Sequence, residues 1–346
     1  MSRYGHPAME PAEALRRVAY LLERGRAESY KVRAFRRAAA TIDVTDRETL
    51  ERLARAGRLK DLEGVGDTTA KVVAEALEGG VPSYLRQLEG EEGDGVSDAA
   101  EALRAQLKGD CHSHSDWSDG GSPIREMAEA ARALGHEYLV LTDHSPRLTV
   151  AHGLDADRLR SQLEVVAQVN EEMAPWRLLT GIEVDILEDG TLDQTEELLA
   201  QLDVVVASVH SKLRMEAPQM TERMIRAIES PQVDILGHCT GRLIVGRGRP
   251  QSQFDAEAVF AACARTGTAV EINSRPERRD PPPDLLAKAV DAGCVVTVDT
   301  DAHAPGQLEW LYLGCEQAAE AGLDARRIVN TGSAGELLAW AASHEA

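Results

Sequence analysis

The 346-residue sequence lacks the marks of membrane proteins and of disulfide-rich proteins. No apolar run approaches the ~18 residues that a membrane span requires, and Met1–Pro11 contains no hydrophobic signal-peptide segment. The five cysteines are odd in number, widely spaced and free of any C-x-x-C pair, which disfavours a disulfide framework and a thiolate zinc finger. We therefore expect a cytoplasmic protein with reduced thiols and no membrane partner.

The sequence is also poor in positive charge, with 38 Lys and Arg against 58 Asp and Glu, a net charge of −20. Taken alone, this balance disfavours nucleic acid as a partner, because neutralising phosphates requires clustered Lys and Arg. The deficit is uneven along the chain. Residues 1–50 hold 10 basic and 7 acidic residues (+3), whereas residues 110–346 hold 20 and 39 (−19).

The apolar pattern divides the chain into two domains joined by a linker. Residues 1–88 show helical stripes and predict a small all-α domain, and residues 89–107 predict an acidic linker and a connecting helix. From residue 108 to 346, short β-branched runs alternate with amphipathic stretches, which indicates βαβ units and a parallel sheet. The seven runs predict an α/β barrel: 109–111, 137–142, 177–186, 203–209, 233–237, 268–273 and 294–299.

Metal-ligating side chains lie at the ends of six of these runs. In a barrel of parallel strands those ends converge on one face, where barrel active sites lie. Imidazoles and carboxylates without thiolates suit Zn, Mn or Fe ions, and a shared carboxylate can bridge two cations. The candidate ligands, which are also the candidate catalytic residues, are His112, His114, Asp119, His144, Glu183, His210, His238, Asp301 and His303. Asp143 is expected to orient His144.

The segments that carry these residues resemble the PHP (polymerase and histidinol phosphatase) domain, especially that of bacterial family X DNA polymerases. They are DCHSHSDWSDG, LTDHS, GIEVDI, SVHSKL, DILGHCTGRL, EINSRP and TDAH. The resemblance implies a distorted seven-stranded (β/α)7 barrel with three divalent metal ions. By position, it assigns His112, His114, Glu183 and Asp301 to the first ion, Glu183, His210 and His238 to the second, and Asp119, His144 and His303 to the third.

Further residues at the strand ends are candidates for holding substrate phosphate. Asn273 and Arg275 follow the sixth run, and Lys212 and Arg242 come just after the fourth and fifth. A charged loop residue can equally be only solvated, so both interpretations stay open for each of the four.

The N-terminal segment contains LKDLEGVG, a Gly-x-Gly turn that opens a helix and can bring backbone N–H groups close to a phosphate. With ESYKVRAFRRAA before it, this segment resembles the helix-hairpin-helix domain of the same polymerases. The candidate DNA contacts are Arg33, Arg36, Arg37, Gly64, Val65 and Gly66. The polymerase palm is absent between the two domains, so we expect no polymerisation. Val72 stands where lyase-active relatives carry a Schiff-base lysine, which disfavours lyase activity.

Three functions remain open at this stage. The first is a metal-dependent phosphoesterase acting on nucleic acid ends, as a 3′→5′ exonuclease or 3′-end-processing enzyme in DNA repair. The second is a small-molecule phosphomonoesterase acting on histidinol phosphate or a nucleotide. The third is a non-catalytic DNA-binding scaffold. The pair of domains favours the first, the charge of the barrel favours the second, and the complete ligand set disfavours the third.

Overall fold

A computed structural model describes residues 9–90 and 96–345, and the chain divides into two compact units, Met1–Gly95 and Val96–Ala346. No described helix combines the length and the apolar character needed to cross a bilayer. Of the predicted linker 89–107, residues 89 and 90 end a helix of the first unit, residues 91–95 lie outside the described residues, and the remainder belongs to the second unit.

The described part of the first unit, residues 9–90, contains five α-helices around a core of mostly small and branched apolar side chains. The helices are α1 (Pro11–Arg24), α2 (Ser29–Asp43), α3 (Arg47–Arg55), α4 (Asp67–Leu77) and α5 (Ser83–Gly90). The predicted apolar stripes face this core, and Val72 on α4 is also buried in it. The turn before α4 has the predicted form, because Gly64 adopts a φ of +75° and Gly66 caps the helix.

The second unit is a seven-stranded parallel sheet in which each strand pairs with its neighbours in chain order. The strands are β1 (Gly109–Asp110), β2 (Tyr138–Leu141), β3 (Arg177–Asp185), β4 (Val204–Ser208), β5 (Ile235–Leu236), β6 (Ala269–Asn273) and β7 (Val296–Asp299). A parallel bridge between Ser113 and Ala302, just beyond β1 and β7, brings the two edges together. The predicted seven-stranded barrel is confirmed.

Helices surround the sheet because each strand is followed by a crossover connection. They are α6 (Asp98–Arg104), α7 (Ile124–Ala133), α8 (Ala156–Met173), α9 (Glu196–Leu199), α10 (Ala217–Ile228), α11 (Ala256–Thr266), α12 (Pro283–Asp291), α13 (Leu311–Glu320) and α14 (Ala334–Ala341). Leu337 of α14 joins the inner core formed by the first residues of several strands, so this helix covers the N-terminal end of the barrel. Loops form the opposite, C-terminal end of the barrel.

Helix α6 packs on the barrel through Ala100 and Leu103. Arg104 donates from Nη2 to Nε2 of the buried His136, at 2.8 Å. Burial, with this guanidinium beside the ring, lowers the pKa of His136 to about 3. The imidazole is therefore neutral in the folded protein at ordinary pH.

Candidate metal centre

All nine predicted ligands lie in one cluster at the C-terminal end of the barrel. His112, His114 and Asp119 follow β1, His144 follows β2, and Glu183 lies near the end of β3. The remaining four follow β4, β5 and β7: His210, His238, Asp301 and His303. Three overlapping groups have potential ligand atoms within 4.8 Å of one another. They are His114, Asp119, His144 and His303; His112, His114 and Asp301; and His144, Glu183 and His210.

Glu183 lies at the centre of the cluster. Its Oε1 is 2.8 Å from His238 Nε2 and 3.2 Å from His210 Nε2. Its Oε2 is 2.9 Å from His144 Nδ1, 3.4 Å from His112 Nε2 and 3.6 Å from His114 Nε2. A single buried carboxylate thus faces five imidazoles, which is a geometry suited to bridging two cations.

Asp119 and Asp301 lie at the edge of the cluster, on the side of His303. Asp119 Oδ1 is 3.3 Å from His303 Nε2 and 3.5 Å from His144 Nε2. Asp301 Oδ1 is 3.4 Å from His114 Nε2. Asp119 is more exposed than the other members, with 35% of its side chain accessible, so this edge of the cluster is open to solvent.

The charged groups of the cluster shift one another's pKa values. Burial alone would raise the pKa of Glu183, but His210, His112 and His144 hold it well below its usual range. Burial would likewise raise the pKa of Asp301, and Arg275 and His114 keep it well below the usual value. The carboxylates are therefore ionised and available as metal ligands.

Several buried polar atoms of the cluster have no hydrogen-bond partner among the described residues. Such atoms are costly in a folded protein unless a ligand or ion satisfies them. They are His112 Nε2, both ring nitrogens of His114 and His210, His144 Nδ1, His238 Nδ1 and Glu183 Oε2. The donor set therefore fits divalent metal ions.

Glu271, which the sequence reasoning missed, holds two of these histidines. Its Oε1 lies 2.6 Å from His112 Nδ1, and its Oε2 accepts the backbone N–H of His238. A carboxylate on the far nitrogen of a ligating imidazole fixes its tautomer and raises its basicity. A fully buried acid within the apolar run of β6 was the signal that could have revealed it.

Asp143 has a different role from the one expected. It accepts hydrogen bonds from Ser115 N at 2.8 Å and Oγ at 2.6 Å, Ser118 Oγ at 2.5 Å and Gln162 Nε2 at 2.7 Å, but none from the ring of His144. The expectation that it orients His144 is wrong. Asp143 instead fixes the loop that precedes Asp119.

Two of the four predicted phosphate contacts lie against the cluster. Asn273 Nδ2 is 3.3 Å from Asp301 Oδ2, and Arg275 Nη1 donates to Asp301 O at 3.0 Å and lies 2.9 Å from His303 Nδ1. Arg278, also missed by sequence reasoning, donates from Nε to Asp301 Oδ2 at 3.1 Å. The three side chains line one side of the cluster.

The other two predicted phosphate contacts lie outside the cluster. Arg242 donates from Nε to the carbonyl of Arg278 at 2.9 Å and also to the carbonyl of Arg279, so its guanidinium supports that loop. Lys212 is exposed, with Nζ 3.8 Å from Glu188 Oε1.

In the helical unit, the candidate DNA contacts separate into two kinds. Arg33 and Arg37 are exposed, and the Arg37 stem packs over Gly64, where an added Cβ would come within 2.7 Å of it. Arg36 instead donates from Nε and Nη2 to the two carboxylate oxygens of the buried Glu23, at 2.7 and 3.0 Å. Val65 is buried. Arg36 and Val65 therefore stabilise the unit, whereas Arg33, Arg37 and the glycines are accessible.

Comparison with known proteins agrees with this architecture. Residues 110–275 match the PHP domain, and residues 6–82 match a helix-hairpin-helix domain. The chain is 39% identical over 254 residues to the DNA polymerase/3′-5′ exonuclease PolX of Bacillus subtilis, covering 73% of this chain and 44% of that protein. It is 31% identical over 212 residues to a probable phosphatase of Caldanaerobacter subterraneus, covering 58% of this chain and 78% of that protein.

Among solved structures, histidinol phosphate phosphatase from Lactococcus lactis, complexed with zinc, L-histidinol and phosphate, aligns with a TM-score of 0.46 at 19% identity. The alignment covers 63% of this chain and 95% of that chain.

The barrel and its cluster of acids and imidazoles define the class of the protein as a phosphoester hydrolase with a site suited to divalent metals. The chain belongs to the PHP domain family, and it carries a helix-hairpin-helix domain on its N-terminal side. It spans less than half the length of the B. subtilis relative.

Proposed function

We propose that the protein hydrolyses phosphoester bonds at the ends of nucleic acid strands, as a 3′→5′ exonuclease or a 3′-end-processing enzyme in DNA repair. We propose nucleic acid as the substrate because the helix-hairpin-helix unit lies on the same chain as the cluster. Its exposed Arg37 packs over Gly64 in a turn whose glycines let a phosphate approach the backbone, and Arg33 is exposed on the same helix.

Three divalent ions of the Zn, Mn or Fe type would occupy the cluster. His112, His114 and Asp301 form one group of ligands, and Asp119, His144 and His303 form another. His210 and His238 complete a third group with Glu183 Oε1. The other oxygen of Glu183, Oε2, faces histidines of both neighbouring groups. Bound ions of this kind polarise a phosphoryl oxygen and make water a nucleophile at neutral pH.

The side chains around the cluster would position the substrate. Arg278 Nη1 is buried without a hydrogen-bond partner among the described residues, so it is free to donate to a phosphate oxygen. Arg275 lies beside it and is partly exposed. Two guanidinium groups fixed by Asp301 add positive charge where a phosphorane-like transition state gains negative charge.

A second candidate is a small-molecule phosphomonoesterase. It is favoured by the similarity to a probable phosphatase, which aligns over most of that protein's length, and by the net charge of −19 over residues 110–346.

An assay of the purified full chain with Zn, Mn or Fe separates the candidates. The substrates are end-labelled oligonucleotides with a 3′-hydroxyl or a 3′-phosphate, and histidinol phosphate. We expect a higher kcat/KM on oligonucleotides, and a higher value on histidinol phosphate would favour the second candidate. Inactivity on all of them with Zn, Mn and Fe would leave the scaffold hypothesis.

A charge-reversal variant of the helical unit tests DNA delivery. Arg33→Glu with Arg37→Glu should lower kcat/KM on oligonucleotides and leave histidinol phosphate or another small phosphoester unaffected, because those arginines lie outside the barrel. Arg33→Lys with Arg37→Lys is the matched control, which keeps the charge. Equal oligonucleotide activity in both double variants would refute delivery by this unit.

A further inference from the structure

The negative charge of the barrel is interrupted by one basic region. Segments 209–216, 240–253 and 275–279 contain eight Lys or Arg and two Glu, a net charge of +6. The rest of residues 110–346 then carries −25, that is −19 minus 6. We call these three segments the basic strip. Its cations are Lys212, Arg214, Arg242, Arg247, Arg249, Arg275, Arg278 and Arg279.

The three segments of the basic strip contact one another through hydrogen bonds and packing. Ile244 N donates to Glu277 O at 2.7 Å, and Ser252 Oγ donates to Leu213 O at 3.0 Å. Leu213 also packs on Gly241, where an added Cβ would come 2.7 Å from Leu213 Cδ2. The strip is therefore one continuous surface rather than three separate loops.

Its middle segment is a short β-hairpin. Leu243 and Arg249 exchange backbone hydrogen bonds at 2.9 and 2.8 Å, and Gly248 N closes the turn on Val245 O at 3.2 Å. Gly246 and Gly248 both have positive φ, of +68° and +63°, a conformation that favours glycine. The tip of the hairpin therefore presents Arg247 between two glycines, and Arg247 is exposed.

The hairpin also exposes apolar surface. Ile244 is 52% and Val245 43% exposed, although large branched side chains are normally buried. At the foot of the hairpin lies a cleft of about 590 Å³ between Arg249, Gln251 and the segment that follows β4. This volume is within the range of about 300–1,000 Å³ typical of ligand sites.

One end of the basic strip lies against the cluster of candidate metal ligands. Its segment 275–279 holds Arg275 and Arg278, whose guanidinium groups contact Asp301. Segment 209–216 contains His210, and segment 240–253 begins two residues after His238. Both histidines contact Glu183. A strand whose end reaches the cluster would therefore have its next nucleotides beside the hairpin and the cleft.

We propose that the basic strip binds the sugar-phosphate backbone of a single-stranded nucleic acid whose end is processed at the cluster. A groove of positive charge with apolar contacts for bases is the general means of binding single strands. A free phosphomonoester held by Arg275 and Arg278 would leave Arg214 and Arg247 without a ligand. This inference rests on the proposed function and specifies its substrate as a strand of several nucleotides.

The test is the double variant Arg214→Ala with Arg247→Ala in the full chain. The readout is kcat/KM on a single-stranded 12-nucleotide substrate, divided by kcat/KM on p-nitrophenyl phosphate. Each phosphate contact to a single strand contributes about 0.7 to the slope of log affinity against log salt concentration. Two contacts therefore raise the affinity for the strand by about 25-fold at 0.1 M salt and by about fourfold at 0.4 M. We expect the ratio to fall by these factors.

The matched control is Arg132→Ala with Arg177→Ala. Both side chains are exposed, and they lie at the end of α7 and the start of β3, which is the N-terminal end of the barrel. This variant loses the same charge and should match the wild type. Thermal unfolding by circular dichroism checks that both variants fold.

If the wild type degrades the oligonucleotide and the two double variants have the same ratio, the basic strip does not bind the strand, while the proposed function stands. If the wild type hydrolyses p-nitrophenyl phosphate but no oligonucleotide, the nucleic acid substrate is wrong and the inference is overturned with it.

Discussion

Glu183 is the side chain on which the proposed metal centre depends most. Its two oxygens lie 2.8–3.6 Å from ring nitrogens of five histidines. Replacing Glu183 by Gln keeps the size of the side chain and removes the negative charge that would lie between two cations. The predicted result is the loss of about two of three metal ions, because both ions would lose the same anionic ligand.

The size of this effect follows from general metal-site energetics. Loss of a hydrogen-bond partner behind a ligand already weakens metal affinity by about 10–100-fold, so loss of a direct ligand should cost at least about 100-fold per ion. That factor equals about 2.7 kcal/mol for each ion, or roughly 5.5 kcal/mol for two. Phosphoester hydrolysis should fall by at least about 100-fold.

Elemental analysis of protein equilibrated at a fixed free-metal concentration measures the metal content, and kcat/KM on p-nitrophenyl phosphate measures activity. Glu197→Gln, on the exposed face of α9, makes the same chemical change away from the cluster and should match the wild type. An unchanged metal content in Glu183→Gln would refute the bridging role. Loss of a single ion would assign Glu183 to one site only.

Three further outcomes follow from side chains outside the direct ligand set. Glu271→Gln should lower metal affinity or activity by about 10–100-fold, because it weakens the contact that orients His112. Elemental analysis and kinetics over a series of fixed free-metal concentrations would measure this loss. Arg36→Ala should lower the free energy of unfolding of the helical unit by about 3 kcal/mol in urea, because it removes the bidentate partner of the buried Glu23. A loss of less than about 1 kcal/mol would contradict this. The folded-state pKa of His136, about 3, lies below its unfolded value of about 6.5, so stability is lost as pH falls below 6.5. Between pH 7.5 and 5.5 the wild type should lose about 1.4 kcal/mol more unfolding free energy than His136→Gln, and parallel pH profiles would refute this assignment.

The sequence could indicate which side chains come together, because the ends of parallel strands follow a simple rule. Side chains just past the ends of β1, β2, β4, β5 and β7 must meet at one face, whatever the details of the loops between them. His112 and Asp301 are far apart in sequence, yet both follow the end of a buried strand, and the structure places them in one group. The barrel and the positions of these residues follow from the same pattern.

Contacts made within loops could not be predicted in this way. Arg242 has the type and location of a phosphate-binding residue, but its guanidinium donates to carbonyls of a neighbouring loop. Arg36 resembles Arg33 and Arg37 in sequence, yet it faces Glu23. The direction of a long side chain depends on the tertiary neighbours within its reach, and spacing along the chain does not contain that information.

The basic strip shows the same limit for charge. In the sequence, the net charge of −19 over residues 110–346 favoured a small-molecule substrate over nucleic acid. Screening at physiological salt confines the field of an exposed charge to about 8 Å, so a phosphate responds to the side chains near it and not to the total. Three segments separated by 23 and 21 residues in sequence come together on one face of the barrel, and they contain eight cations. The acidic remainder would then disfavour binding elsewhere on the barrel, which directs a polyanion to that face.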